Sequence, residues 1–194
     1  MNLTDKPILG DRFTEALTYT SQLHRQQVRK GSGIPYISHL LSVTALVLED
    51  GGDEDQAIAA LLHDAIEDQG GKATYLAIKE KFGDLVADLV AECSESSVVP
   101  KPPWKERKLA SLEHLRHASF TVRRIMLADK LHNARCILSD YYRYGDAVWS
   151  RFKGGKEGTL WYYSSIAEIA RQTKDNFLAR EIVGVVGQLK SVSI

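Results

Sequence analysis

The sequence predicts an all-α domain. Apolar residues recur at helical spacing along nearly the whole chain, and glycines and prolines interrupt that spacing at helix-length intervals. Strand-like alternation is scarce: Val98-Val99 and Thr121-Val122 are too short to seed a sheet. At 194 residues, 44% hydrophobic and 26% charged, the chain reads as one globular domain over 1–194, with no internal repeat and no linker long enough to divide it. A domain of this size buries about 70% of the surface its unfolded chain exposes, so it needs neither disulfides nor a structural metal to fold. Any metal is then functional.

The elements follow in order. Phe13, Leu17, Thr20, Leu23 and Gln27 form the stripe of a first helix that Asp11 is placed to cap. The stripe ends at the basic, glycine-bearing run Arg29-Lys30-Gly31-Ser32-Gly33. After Pro35, residues His39, Val43, Leu46 and Val47 mark a second helix closed by Gly51-Gly52. Asp53, Glu54 and Asp55 give the third an acidic start that suits the helix dipole. This third helix, 56–68, is apolar on most sides through Ile58, Ala60, Leu61, Leu62 and Ile66, which makes it central. Further helices are expected over 74–82, 84–93, 104–117, 120–142, 157–173 and 175–190, with breaks at Gly83, 98–103 and Gly154-Gly155.

Charge and cysteine usage narrow the function classes. Twenty-five basic residues balance 25 acidic ones, so the formal net charge of +0 offers no global field for nucleic acid or an anionic membrane. Cys93 and Cys136 lack CxxC spacing, which fits neither a disulfide framework nor a thiolate zinc site and points to a reducing, cytoplasmic setting. There is no signal-peptide pattern at the start of the chain and no run of 18 apolar residues, so neither export nor a membrane span is expected.

Polar residues inside the central helix need an explanation. His63-Asp64 and Glu67-Asp68 stack at i, i+4 on one face, and burying such groups unpaired costs several kcal/mol each, roughly. A lone His-Asp doublet is usually a hydrogen-bonded core histidine; four ionisable groups on one apolar helix argue for a cation or a wet cleft. Asp129 and Asn133 again stand one turn apart in Leu127-Ala128-Asp129-Lys130-Leu131-His132-Asn133, and His39 opens the second helix. His39, His63, Asp64 and Asp129 make a mixed nitrogen and oxygen donor set suited to a borderline-to-hard divalent metal, with manganese ranked ahead of iron or zinc. His114 and His117 lack a nearby carboxylate and are expected to face solvent.

Three ordered blocks carry a family resemblance. Arg29-Lys30-Gly31 with Pro35-Tyr36-Ile37-Ser38-His39, then Ala59-Ala60-Leu61-Leu62-His63-Asp64-Ala65-Ile66-Glu67-Asp68, then Ala128-Asp129-Lys130-Leu131-His132-Asn133-Ala134-Arg135 resemble the HD-domain hydrolases of the RelA/SpoT family. The resemblance spans nearly the whole chain, which is too short for the synthetase and regulatory domains of long members and is similar to the small stand-alone hydrolases. It implies a single HD-domain helical bundle and removal of the 3′-pyrophosphate from (p)ppGpp with one Mn²⁺, giving GDP or GTP and pyrophosphate.

By position, the resemblance implies that His39, His63, Asp64 and Asp129 hold the metal, that Glu67 and Asn133 position and activate water, and that Asp68 completes the catalytic acidic pair. A substrate of several negative charges needs local cations, and Arg29, Lys30, Lys105, Arg107 and Lys108 are available; Tyr162 either stacks on the nucleotide or packs in the core. His24 is expected to make a structural hydrogen bond. After Glu67-Asp68 the family commonly continues with Thr, whereas this chain reads Gln69-Gly70-Gly71, which leaves substrate selectivity open. The open alternatives are (p)ppApp hydrolysis, 2′-phosphate removal from NADPH, a broader nucleotide phosphohydrolase, and a non-catalytic alarmone-binding module. The expected partner is a small nucleotide, with neither nucleic acid nor membrane, and oligomeric state is not legible.

Overall fold

The computed structural model describes residues 9–94, 102–173 and 176–193. It is all-α, as expected; among the described residues the β-structure is a single antiparallel bridge, Val28 to Pro35. No helix of the described residues is long and apolar enough to cross a membrane. The chain divides into two compact units: Met1–Ser97 with Phe120–Ile125, and Val98–Ser119 with Met126–Ile194.

In the first unit, α1 (Asp11–Leu23), α2 (Ile37–Glu49) and α6 (Asp84–Cys93) pack against α3 (Glu54–Leu62). The expected centrality of the third helix holds, since every residue of 57–62 is fully buried. Asp53 caps α3, its carboxylate accepting from the Gln56 N–H at 2.9 Å, a bond of about 1 kcal/mol. The cap of α1 differs from expectation: Gly10 rather than Asp11 is the N-cap, and its N–H donates to Glu54 Oε1 at 2.6 Å. The helix ends at Leu23, so Gln27, read as the last position of its stripe, lies in the following loop.

The expected helix over 56–68 is two helices. α3 stops at Leu62, and α4 (Ala65–Asp68) starts after His63 and Asp64. His63 Nδ1 donates to the Ala60 carbonyl at 2.7 Å, the acceptor that a continuous helix would offer to the Asp64 N–H. After Gln69, Gly70 and Gly71 take φ of +132° and +60°, which lets the chain reverse into α5 (Lys72–Phe82). The start of α8 (Phe120–Tyr144) is anchored within this unit by Arg124, which donates to Asp50 Oδ2 at 2.8 Å and to the Asp50 carbonyl at 3.0 Å, both side chains buried.

In the second unit, α9 (Gly155–Gln172) packs against α7 (Trp104–His117), α10 (Phe177–Val192) and a 3₁₀ turn, Gly145–Arg151, that was not expected. The Trp104 ring lies over Gly154 and Gly158, where a Cβ would come within 2.6 and 3.0 Å of it. Asn176 caps α10 by accepting from the Ala179 N–H at 2.8 Å. The expected break over 98–103 and the expected start of the last helix at 175 fall partly outside the described residues.

Candidate metal centre

The break between α3 and α4 sets the geometry. Consecutive residues of an unbroken helix point about 100° apart, yet His63 Nε2 lies 3.1 Å from Asp64 Oδ2. His39, in the first turn of α2, brings its Nε2 to 3.7 Å from the same oxygen, and the two imidazoles meet edge to face at 5.2 Å. Both histidines are buried, at 1% and 3% exposure. Because the Ala60 carbonyl accepts only, His63 Nδ1 donates to it, which turns Nε2 toward Asp64.

Asp64 is held from a second side by the Tyr36 hydroxyl, which donates to Oδ2 at 2.5 Å. Burial alone would raise the Asp64 carboxyl; the His63 imidazole, with hydrogen bonds from His39, His63 and Tyr36, overrides it and holds the group well below the usual carboxylate range. The Tyr36 ring stacks on His24 at 5.6 Å and meets His39 edge-on at 5.5 Å. Two buried imidazole nitrogens converging on a carboxylate oxygen fit a divalent cation.

Asp129 lies on the stretch of α8 in the second unit. Its Oδ2 accepts from Lys130 Nζ at 2.6 Å and its Oδ1 from Asn133 Nδ2 at 2.5 Å, the i, i+4 relation read from the sequence. Burial pulls the Lys130 ammonium down, and the Asp129 carboxylate more than offsets it, holding the group well above its ordinary value.

The remaining expected residues separate. Glu67 is half-buried on α4, one turn beyond His63, and Asp68, exposed at the end of α4, accepts from Gln27 Nε2 at 2.7 Å. Arg29 lies 5.8 Å from the Tyr36 ring centroid, and Lys30 is exposed beside it. On α7, Lys105 sits over Trp161 and Lys108 over Tyr162, at 2.9 and 4.9 Å from the ring centroids, and Arg107 of the same helix is half-buried. Tyr162 is buried at 5% exposure and its hydroxyl pairs with Ser111 at 3.1 Å. His24 bonds Gln27, in line with the structural role expected of it. His117 does have a carboxylate, Glu113 at 2.9 Å, contrary to expectation, and is exposed as expected.

Three residues that shape these groups carried no assigned role in the sequence reading: Tyr36, Lys130 and Gln27. Tyr36 and Lys130 stand within three residues of expected ligands, which was a usable signal. Gln27 had none, because its partners Asp68 and Gln69 stand 41 and 42 residues away in sequence.

The donors of an HD domain, a His-Asp doublet with a further histidine and a distant aspartate, are thus all present. An HD-domain family model matches residues 16–160. Among curated relatives, the guanosine-3′,5′-bis(diphosphate) 3′-pyrophosphohydrolase MESH1 of Xenopus tropicalis is 39% identical over 124 residues, 62% of this chain and 66% of that protein. The mouse protein of the same name is 35% identical over 145 residues, 73% of this chain and 76% of its own length. A solved structure of a metazoan SpoT orthologue, described as hydrolysing ppGpp, superposes with a TM-score of 0.76 at 25% identity, covering 94% of this chain and 97% of that one. The chain belongs to the HD-domain family and, within it, to the RelA/SpoT hydrolases.

Proposed function

We propose that this protein is a divalent-metal-dependent hydrolase that removes the 3′-pyrophosphate of (p)ppGpp-type nucleotides. The observation that carries the reading is the convergence of His39 Nε2 and His63 Nε2 on Asp64 Oδ2, with Glu67 one turn further along. The names of the relatives above support the substrate. Residues 1–194 act in this reading as one HD-type phosphohydrolase domain.

His39, His63, Asp64 and Asp129 hold one ion; the mixed imidazole and carboxylate set admits Mn²⁺, iron or zinc, and the resemblance to the RelA/SpoT hydrolases ranks Mn²⁺ first. A divalent ion in such a site lowers the pKa of water and neutralises charge on phosphoryl oxygens. Glu67 takes the proton as the water oxygen bonds to phosphorus, and the bond to the ribose 3′ oxygen breaks. Pyrophosphate leaves, and the ribose hydroxyl is restored. Asn133 fixes the Asp129 carboxylate through its amide and helps orient the water. Asp68 keeps the end of α4 acidic and shapes it through Gln27. Arg29 and Lys30 bind phosphate, as do Lys105, Arg107 and Lys108 on α7, with Tyr162 as the wall that orients Lys108. The proposed compartment is the cytoplasm, in keeping with free Cys93 and Cys136.

The test is incubation of the Mn²⁺-loaded protein and a Glu67→Gln variant with ppGpp, ppApp and NADPH, following pyrophosphate and orthophosphate by chromatography. Pyrophosphate from ppGpp with the native protein and not the variant is the expected result. Pyrophosphate from ppApp alone would change the base, and orthophosphate from NADPH alone would change the substrate. Binding of ppGpp without turnover would make the chain an alarmone-binding module.

A further inference from the structure

The loop that carries Arg29 and Lys30 is poorly held by apolar burial: Val28 and Ile34 are 55% and 49% exposed. It is closed on itself through the backbone. Arg29 N–H donates to the Ile34 carbonyl at 2.7 Å, and Tyr36 N–H to the Gln27 carbonyl at 2.9 Å, so the loop moves as one piece with Gln27 and Tyr36 at its base.

Tyr36 is held at the Asp64 side; what fixes the other side of the base is the Gln27 side chain. Its Nε2 donates to Asp68 Oδ2 at 2.7 Å, while its Oε1 accepts from Gln69 Nε2 at 2.5 Å and from His24 Nδ1 at 2.7 Å. A carboxylate only accepts, so the amide can stand only one way round, and both lone pairs of Oε1 are then used. His24 is forced to carry its hydrogen on Nδ1. Its Nε2 is buried and has no hydrogen-bond partner among the described residues. Gln69 is itself held, with Thr74 Oγ1 donating to its carbonyl at 2.8 Å and the two positive-φ glycines turning the chain behind it. Here lies the departure from the family's usual Thr, a residue too short to carry this amide across to Gln27.

We propose that Gln27 and Gln69 form a clamp that ties the end of α4 to the Arg29–Lys30 loop, and that both are positioning residues setting how tightly a polyphosphorylated nucleotide is bound. The inference deepens the functional reading above and rests on it. Arg29 and Lys30 are offered at a fixed height by a loop with little apolar anchorage, so loosening its base lowers ground-state and transition-state binding alike. The signature is a change in KM with kcat unmoved.

The experiment uses the full, Mn²⁺-loaded chain with ppGpp as probe, comparing the native protein with Gln69→Thr and Gln27→Ala. Loss of one amide hydrogen bond is expected to raise KM roughly fivefold in Gln69→Thr, and loss of three to raise it tenfold or more, on the order of the bonds removed, in Gln27→Ala, with kcat within about twofold. A second readout needs no turnover: ¹⁵N NMR of His24 should show the Nδ1–H tautomer in the native protein and its loss in Gln27→Ala. If Gln27→Ala does not fold, Gln69→Thr decides, since residue 69 is half-exposed and beyond the helix. Unchanged KM in Gln69→Thr, a fall in kcat with KM unmoved, or an Nε2–H tautomer for His24 in the native protein would each overturn the clamp. Should the native protein leave ppGpp intact, the functional reading falls, while the tautomer still decides whether the clamp exists.

Discussion

Replacing Tyr36 by Phe removes one oxygen atom and leaves the ring where it stands. That oxygen donates to Asp64 Oδ2 at 2.5 Å in a half-buried setting. A hydrogen bond to an ionised group contributes about 1.5–3 kcal/mol, equivalent to about 10- to 150-fold in an equilibrium constant. Asp64 keeps His63 at 3.1 Å and His39 at 3.7 Å, so the carboxylate loses its orientation on one side only. The expected loss of Mn²⁺ affinity is therefore about 10- to 100-fold, the range typical of residues that steady a metal ligand. The variant's carboxyl also moves up toward its ordinary value, because the hydroxyl favours its ionised form. Competition against a chromophoric chelator on metal-free protein measures the affinity, and thermal unfolding of the same sample checks the fold. The Tyr36 ring still stacks on His24, so the melting temperature should barely move. Affinity within twofold of the native protein would refute the claim that Tyr36 steadies a ligand.

Three further outcomes are expected. Arg124→Met takes the guanidinium away from buried Asp50 and should cost about 3–5 kcal/mol by urea unfolding, with Asp50→Leu in the same chain restoring much of it. Gly154→Ala drives a methyl to 2.6 Å from the Trp104 ring and should cost about 1–3 kcal/mol, visible as a lower melting temperature and a changed tryptophan emission. His24 is pushed below its ordinary 6.5 by burial, with Gln27 and the nearby carboxylates offsetting only part of this. Its unfolded form binds protons first, so it contributes stability that is present above about pH 6.5 and lost as pH falls below it. Urea midpoints of metal-free protein at pH 7.5 and 5.5 should differ less in His24→Asn than in the native chain.

The helices that periodicity alone locates were the ones whose residues meet neighbours along a simple stripe. α6 and α7 start where expected because Gly83 and Pro103 interrupt the pattern just before them. The α3–α4 break was invisible because a side chain makes it: the His63 bond to the Ala60 carbonyl leaves no trace in hydrophobic spacing. His39, His63 and Asp64 were legible as members of one donor set, and the geometry that brings both imidazoles to one Asp64 oxygen was not, since it depends on that break. The i, i+4 pair Asp129 and Asn133 was legible for the opposite reason, lying on an uninterrupted helix. Gln27 and Gln69 stand on different elements, and a local reading of either shows only a polar residue beside a glycine-rich turn.

The shortness of α4 has its own consequence. Four residues are far below the length at which a helix persists in water, so the amides that close it have little intrinsic reason to stay closed. Those amides follow directly on His63 and Asp64: Asp68 N–H bonds the Asp64 carbonyl at 2.9 Å and Gln69 N–H the Ala65 carbonyl at 3.0 Å. Deuterium uptake at these two positions is therefore expected to be fast. At 57–62 of α3, where every residue is fully buried, only wholesale opening exposes the backbone, and exchange there follows the stability of the unit. One protein thus carries two clocks a single turn apart, a fast one in a four-residue helix and a slow one set by the core.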